Sequence, residues 1–209
     1  LGYGVKLLAV AAQVGTAADG TAELDISVNP TLVPRDHPLA GVHGVNNAIL
    51  VEGDPVGRVM FYGPGAGAGP TASAVVADIL NIAGIREVSG VGTPQQPVPL
   101  DPLLAAGSWR PCRLVDPAQT SHRNYVRLRT SDQAGVIGRI GTCFGDAGVS
   151  LQSIVQFQAP SSSEAGSAAG DAEIVVITHQ VSEAAFRAAM AAIEALPVVD
   201  HVAACLRTL

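Results

Sequence analysis

The spacing of apolar residues in the first part of the chain predicts strands. Residues 5–14 are almost all apolar, which is the pattern of a buried strand. Residues 23–28 alternate between polar and apolar side chains, which predicts a second strand with one solvated face. The pairs Asn29-Pro30 and Val33-Pro34 are expected to interrupt it.

A glycine-dense turn follows two further predicted strands, residues 46–52 and 58–62. Residues 63–70 alternate glycine with small residues, and Thr71 is expected to cap a helix that carries Val75 and Ile79 on one face. The turn and the helix start would present free backbone N–H groups to an anion or a carboxamide. A tight connection with glycines present for packing explains the same pattern. Strands followed by loop and helix predict an α+β layer, a mixed sheet covered by helices.

Proline-rich residues 92–102 are expected to form a linker, and the pattern changes after it. From residue 123 the hydrophobic period switches between two and 3.6 in the order βαββαβ, which predicts a ferredoxin-like module. Residues 159–170 are rich in Ser, Ala and Gly and are expected to be an insert between two of its strands. The expected domains are therefore residues 1–90, a linker at 91–122, and residues 123–209.

Composition narrows the functional classes. The chain has 209 residues, of which 48% are hydrophobic and 14% charged, as in a folded protein. The net charge of −6 argues against nucleic-acid binding, and no apolar run is long enough for a membrane span. Three separated cysteines and five scattered histidines offer no metal-ligand spacing, so neither a metal site nor a disulfide framework is expected. We expect a cytoplasmic protein.

The first part of the chain resembles homoserine dehydrogenases over roughly residues 1–85. The resemblance is carried by residues 1–9 (LGYGVKLLA), 37–40 (HPLA), 46–48 (NNA), 53–54 (GD) and 61–79 (FYGPGAGAGPTASAVVADI). In that family the glycine loop lies beside the nicotinamide end of NADP or NAD. The resemblance therefore implies cofactor contacts by Gly63, Gly65, Ala66, Gly67 and Thr71, with the backbone N–H groups near Gly65 fixing the carboxamide of the nicotinamide.

The second part resembles ACT domains over about residues 123–209. The resemblance is carried by the βαββαβ order together with Asp132-Gln133-Ala134-Gly135-Val136-Ile137 at the first strand-to-helix turn. ACT domains commonly bind a free amino acid at this turn, often across a dimer interface. The implied ligand contacts are the N–H groups of Gly135, Val136 and Ile137 for the carboxylate, with Asp132 and Gln156 for the ammonium group.

Together the resemblances imply the C-terminal part of an NAD(P)-dependent homoserine dehydrogenase. Such an enzyme interconverts L-homoserine and L-aspartate 4-semialdehyde on the route to threonine, methionine and isoleucine. The family's nucleotide-binding motif and catalytic lysine lie upstream of the matching segment, so no catalytic residue is assigned here and the chain alone is expected to be inactive. A homo-oligomer, dimer or tetramer, with L-threonine as effector is expected. The alternative is a non-catalytic amino-acid-sensing dimerisation module.

Overall fold

The fold was analysed in a computed structural model, which describes residues 2–88, 111–158 and 171–209. The strands are β1 (Tyr3–Thr16), β2 (Ala22–Pro34), β3 (Asn46–Gly53), β4 (Gly57–Pro64), β5 (Cys112–Leu114), β6 (Ser121–Ser131), β7 (Leu151–Gln158), β8 (Asp171–Thr178), β9 (Val181–Ser182) and β10 (Val199–Thr208). The helices are α1 (Ala68–Val88), α2 (Val136–Asp146) and α3 (Glu183–Glu194). The predicted linker at 92–102 and the predicted insert at 159–170 lie outside the described residues.

The chain divides into two compact units. One contains the described residues up to Arg35 together with those from Cys112 onwards, and the other contains the described residues between Asp36 and Pro111. The first unit is therefore built from two separate stretches of sequence. The domain boundaries expected at residues 90 and 122 stay predictions.

The first unit is organised around one eight-stranded sheet. Its strand order is β1-β2-β10-β6-β8-β7, with β5 added to β2 and β9 added to β6. The order β6-α2-β7-β8-α3-β10 confirms the predicted ferredoxin-like βαββαβ module, and with it the predicted α+β class. The module's sheet is extended by β1 and β2.

Two amphipathic helices cover one face of this sheet and form the core. Helix α2 buries Val136, Ile140 and Phe144 at intervals of four residues, so that one stripe faces the sheet. Helix α3 begins at Ser182, whose hydroxyl accepts a hydrogen bond from the Ala185 N–H at 3.3 Å, as expected of an N-cap. Each fully buried aliphatic or aromatic side chain contributes about 1.5–3 kcal/mol relative to exposure. This core holds the module together.

Strand β2 joins the first part of the chain to the module. It pairs in parallel with β10 through Thr31↔Arg207 and Leu32↔Thr208. The sequence pattern suggested instead that the first strands form one layer with the later strands of the first part. In the structure β3 and β4 form a separate two-stranded sheet, whereas β1 pairs with β2 and β2 pairs with β10 of the C-terminal module.

The predicted strand at residues 5–14 is present, but the prediction that it is buried is wrong. Val5 is 60% exposed, Leu7 72%, Ile26 56% and Val28 63%. The register between β1 and β2 places these four side chains on one face of the sheet. An apolar run predicts a strand but not what covers it, and no residue of the described part of the chain covers these four side chains.

The prediction that Asn29-Pro30 interrupts the second strand is also wrong. Strand β2 continues through Pro30 to Pro34, and Pro30 lies opposite Leu7 on β1. The other edge of β2 pairs with β5 at residues 22–24 and with β10 at 31–32, so in the described part of the chain residues 25–30 need no donor on that edge. A proline, which lacks an N–H, is tolerated at such a position.

The second unit consists of the β3–β4 hairpin and α1. The hairpin pairs Asn46↔Pro64 through Gly53↔Gly57 without a register shift. Helix α1 starts at Ala68, so the expected capping role of Thr71 is wrong: its N–H donates to the Gly67 carbonyl at 3.1 Å within the first turn. Gly67, with φ of +122°, supplies the turn before the helix.

A half-buried polar cluster lies on the first unit where β2, β6 and β10 meet. His122 Nε2 lies 2.8 Å from the Thr120 hydroxyl and 3.7 Å from Asp25 Oδ2, and Arg207 Nη1 donates to Ser27 Oγ at 3.0 Å. The Thr120 hydroxyl donates to the Pro117 carbonyl at 2.8 Å. Because that hydroxyl has one proton, the ring proton of a neutral His122 lies on Nε2.

Burial and the positive charge of Arg207 lower the pKa of His122 below 6.5, and Asp25 and Glu183 oppose the shift only in part. The neutral ring is therefore favoured in the folded state. Its contribution to stability is fully present above pH 6.5 and is lost as the pH falls through the lowered folded pKa.

We therefore expect the free energy of unfolding to decrease on acidification from neutral pH, with a smaller decrease in His122→Gln. Urea unfolding at stepped pH values measures both. The matched control is His179→Gln, at an exposed position of the same unit, which should keep the wild-type pH profile. Identical profiles for wild type and His122→Gln would contradict this account.

Candidate cofactor loop and amino-acid turn

The glycine loop is held by the register of the β3–β4 hairpin. Asn47 pairs with Gly63, and Ile49 pairs with Phe61, so these four residues share one face of the hairpin. An open groove of about 250 Å³ is lined here by residues of both strands and of the loop, namely Asn47, Ala48, Ile49, Phe61, Tyr62, Gly63, Pro64 and Gly65. The sequence-predicted Gly63 and Gly65 are therefore brought together with the Asn47 side chain and the Phe61 ring.

The backbone donors expected near Gly65 are already used within the loop. The Gly65 N–H donates to the Val45 carbonyl at 3.0 Å, and the Ala66 N–H reaches the same oxygen at 3.5 Å. The idea that these N–H groups hold a ligand is therefore not supported by the geometry. The N–H groups of Ala68 and Gly69, in the first turn of α1, have no intrahelical acceptor.

Gly65 is required for steric reasons. A β-carbon at this position would lie 1.7 Å from the Asn47 amide nitrogen and 2.7 Å from its Cγ. At Gly63 and Gly69 a β-carbon would meet no atom of the described chain within 4 Å, so their bare Cα atoms border open space. Gly63 and Gly69 thus leave space beside the loop, whereas Gly65 leaves space for the Asn47 side chain.

The predicted amino-acid turn brings two of its five residues into direct contact. The Gln156 amide on β7 donates to Asp132 Oδ1 at 2.9 Å, although 24 residues separate them. Both side chains are exposed at the end of β6. The Asp132 carboxylate thus has a second oxygen for another donor.

Of the three backbone N–H groups expected to bind a ligand at this turn, one is already used within the turn. Gly135 has φ of +88° and precedes α2, and Ile137 is 39% exposed. The Val136 side chain is buried in the core and its N–H donates to the Gln133 carbonyl at 3.3 Å, so Val136 is not available to a ligand. In the described part of the chain the Gly135 and Ile137 N–H groups make no such turn hydrogen bond.

Sequence reasoning missed two features. Asn47 was not singled out as a site residue, although its register opposite Gly63 places it beside the glycine loop. His122 was considered isolated, because Asp25 and Arg207 are 97 and 85 residues away in sequence and meet it only through sheet pairing. The alternation of the hairpin strands could have identified Asn47.

Two kinds of feature are absent from the described residues. None of the helices there is long and apolar enough to cross a membrane. The same residues contain no cluster of three or more histidine, cysteine or acidic side chains able to hold a metal ion.

The fold defines a class: a ferredoxin-like βαββαβ module whose sheet is extended by two strands from the first part of the chain. Comparison with known families agrees. Residues 1–80 match the homoserine dehydrogenase family and residues 124–198 match the ACT domain family.

Relatives match the chain from end to end. It is 46% identical over all 209 residues to a homoserine dehydrogenase of Synechocystis sp., covering 45% of that protein, and 32% identical to one of Bacillus subtilis, covering 43%. A homoserine dehydrogenase structure from Thiobacillus denitrificans matches with a TM-score of 0.76 and 31% identity, over 100% of this chain and 43% of that one. The chain thus spans less than half the length of these relatives.

The positive φ of Gly135 leads to a stability prediction. Gly135→Ala should destabilise the chain by roughly 1–2 kcal/mol, because an L-residue is strained in the left-handed region. The control is Gly138→Ala, inside α2, where a β-carbon meets no atom within 4 Å; it should stabilise by about 0.8–1 kcal/mol. Urea unfolding measures both changes, and equal effects of the two substitutions would refute the assignment of strain to Gly135.

Proposed function

We propose that this chain is the C-terminal part of an NAD(P)-dependent homoserine dehydrogenase of the cytoplasm. The enzyme interconverts L-homoserine and L-aspartate 4-semialdehyde in the synthesis of threonine, methionine and isoleucine. The observation that carries the proposal is the similarity at 46% identity across the whole chain, glycine loop and ACT module included.

The groove residues fit a nicotinamide cofactor. The bare Cα atom of Gly63 leaves space for a planar ring, and Phe61, on the same face of the hairpin as Asn47, provides an apolar wall. The N–H groups of Ala68 and Gly69 at the start of α1 suit a negatively charged or carbonyl oxygen. When bound, the cofactor supplies the hydride chemistry, and the role of these residues is to orient it.

In this proposal the loop acts through fixed geometry. The Val45 carbonyl holds Gly65 and Ala66 by two backbone hydrogen bonds, so the loop is already in place before a ligand arrives. Such preorganisation reduces the entropy lost on binding. Which of NAD and NADP is preferred depends on a ribose-binding residue outside the family-matched segment.

The ACT turn provides an amino-acid site with groups of both signs. The free oxygen of Asp132, with the carbonyl of Gln156, accepts from an ammonium group, and the Gly135 and Ile137 N–H groups donate to a carboxylate. We assign L-threonine as the ligand, because it is the end product of the proposed route. Val136, expected earlier to contribute, serves the core instead.

Self-association is part of the proposal, as a homodimer or tetramer. The apolar sheet face of β1 and β2 exposes Val5, Leu7, Ile26 and Val28, and monomers rarely leave such a contiguous face uncovered. A second copy would remove it from water.

An assay of homoserine-dependent NAD and NADP reduction tests the main proposal. The 209-residue chain alone should be inactive, because it lacks a nucleotide-binding glycine motif. A full-length protein that contains it should be active. In that protein, Gly65→Val should lower turnover or raise the cofactor KM. A full-length protein that binds amino acids but never oxidises homoserine would instead favour the non-catalytic sensing module.

Amino-acid binding is tested by thermal unfolding of the chain with each of the twenty amino acids. Threonine should raise the melting temperature, since a ligand at a hundredfold excess over Kd stabilises by about 2.7 kcal/mol. Asp132→Ala should abolish the shift, whereas Asp146→Ala, at the other end of α2, should preserve it. No shift with any amino acid, or a shift that survives Asp132→Ala, rules out this site.

A further inference from the structure

The side-chain amide of Asn47 is the polar group that projects into the groove beside the glycine loop. It lies opposite Gly63 in the hairpin register and occupies the space where Gly65 would carry a β-carbon. The floor around the amide is therefore formed by two glycines. Such a floor allows a planar group to approach the amide closely from the groove.

The neighbouring Asn46 lies on the opposite face of the hairpin, and its amide is already hydrogen-bonded. The Asn46 amide donates to the Tyr62 hydroxyl at 2.8 Å on the opposite face of the hairpin. The Asn47 amide has no hydrogen-bond partner in the described part of the chain, and the residue is exposed. Both its N–H₂ donor and its carbonyl acceptor are thus available to a ligand.

The backbone around Gly65 cannot supply these groups. The N–H groups of Gly65 and Ala66 both point to the Val45 carbonyl, at 3.0 and 3.5 Å. A carboxamide ligand needs an acceptor for its N–H₂ and a donor for its oxygen. The Asn47 side chain offers both on one planar group, which no single backbone unit of the loop does.

Resting on the proposed function, we propose that the Asn47 side-chain amide, and not the backbone of Gly65, binds the carboxamide of the nicotinamide ring. Two antiparallel N–H···O hydrogen bonds would join the two amides. The role of Gly65 is then to leave room for Asn47. Since the group closest to a β-carbon at position 65 is the end of the Asn47 side chain, Gly65→Ala displaces the amide while the fold survives.

The test is equilibrium binding of reduced cofactor to the full-length enzyme by fluorescence, without homoserine. The probes are NADPH or NADH, whichever binds more tightly, and the matching 3-acetylpyridine analogue. The acetyl group keeps the carbonyl acceptor of the carboxamide but lacks its N–H donors. Wild type should bind the analogue about tenfold more weakly, the effect of one lost hydrogen bond of about 1.4 kcal/mol.

Asn47→Ala should weaken binding of the natural cofactor by about tenfold or more and bind the two probes equally. Gly65→Ala should have the same effect, and the double variant should be no worse than either single variant, because both remove one contact. Asn46→Ala is the matched control, since its amide is bound to Tyr62 on the other face; it should keep the discrimination between the probes. Circular dichroism establishes that each variant is folded.

Three results overturn the inference. They are unchanged affinity in Asn47→Ala, discrimination between the probes that persists in Asn47→Ala, and losses that add in the double variant. The last result would return the contact to the Gly65 backbone. A folded wild-type enzyme that binds neither NADPH nor NADH overturns the proposed function, and the inference with it.

Discussion

The parallel pairing of β2 with β10 is the constraint on which the rest of the larger unit depends. Only two residue pairs form it, yet Thr31, Leu32 and Thr208 are buried there. The Leu209 N–H adds a hydrogen bond to the Leu32 carbonyl at 3.0 Å. An isolated β1–β2 ribbon would be marginal in water. Attached to the module, it gains a third strand, and the two family-matched segments become one sheet.

This attachment explains the uneven burial of the two faces. On the face that carries the polar cluster, Asp25 and Ser27 meet His122 and Arg207, so polar side chains are the ones partly removed from water. On the opposite face the apolar Leu7 and Val28 stay exposed. The strand pair thus turns its polar side towards its own unit and leaves its apolar side exposed. The apolar side is therefore a property of the strand pair and not a packing defect.

The sequence predicted the elements that depend on local pattern. The βαββαβ order follows from the hydrophobic periodicity of the second part of the chain. The errors concern hydrogen bonds. Pro30 was expected to interrupt a strand. Its own sequence does not show which residues of β2 pair with strands on the far edge, and that pairing decides whether a proline is tolerated. The Val136 N–H was expected to be open to a ligand, but it donates to the Gln133 carbonyl within the turn.

The glycine loop shows the same limit at the level of a site. Its glycines were evident from sequence, but their separate tasks were not. Gly67 provides a positive φ, Gly63 borders open space, and Gly65 accommodates a side chain from the neighbouring strand. Only the last task depends on strand register, which a glycine-rich stretch does not reveal.

Strand β6 connects the amino-acid turn to the strands of the first part of the chain. One end of β6 leads into the Asp132 turn, and the other carries His122 beside Asp25 of β2, about 33 Å away at 3.3 Å per residue. A ligand can shift an equilibrium only through states that it binds with different affinity. A bound amino acid that merely orders the turn would leave β2 unaffected. An effect on β2 must pass through the contacts that link it to β6: the His122–Asp25 pair, and β10, which pairs with β6 and is tied to β2 by the Arg207–Ser27 hydrogen bond.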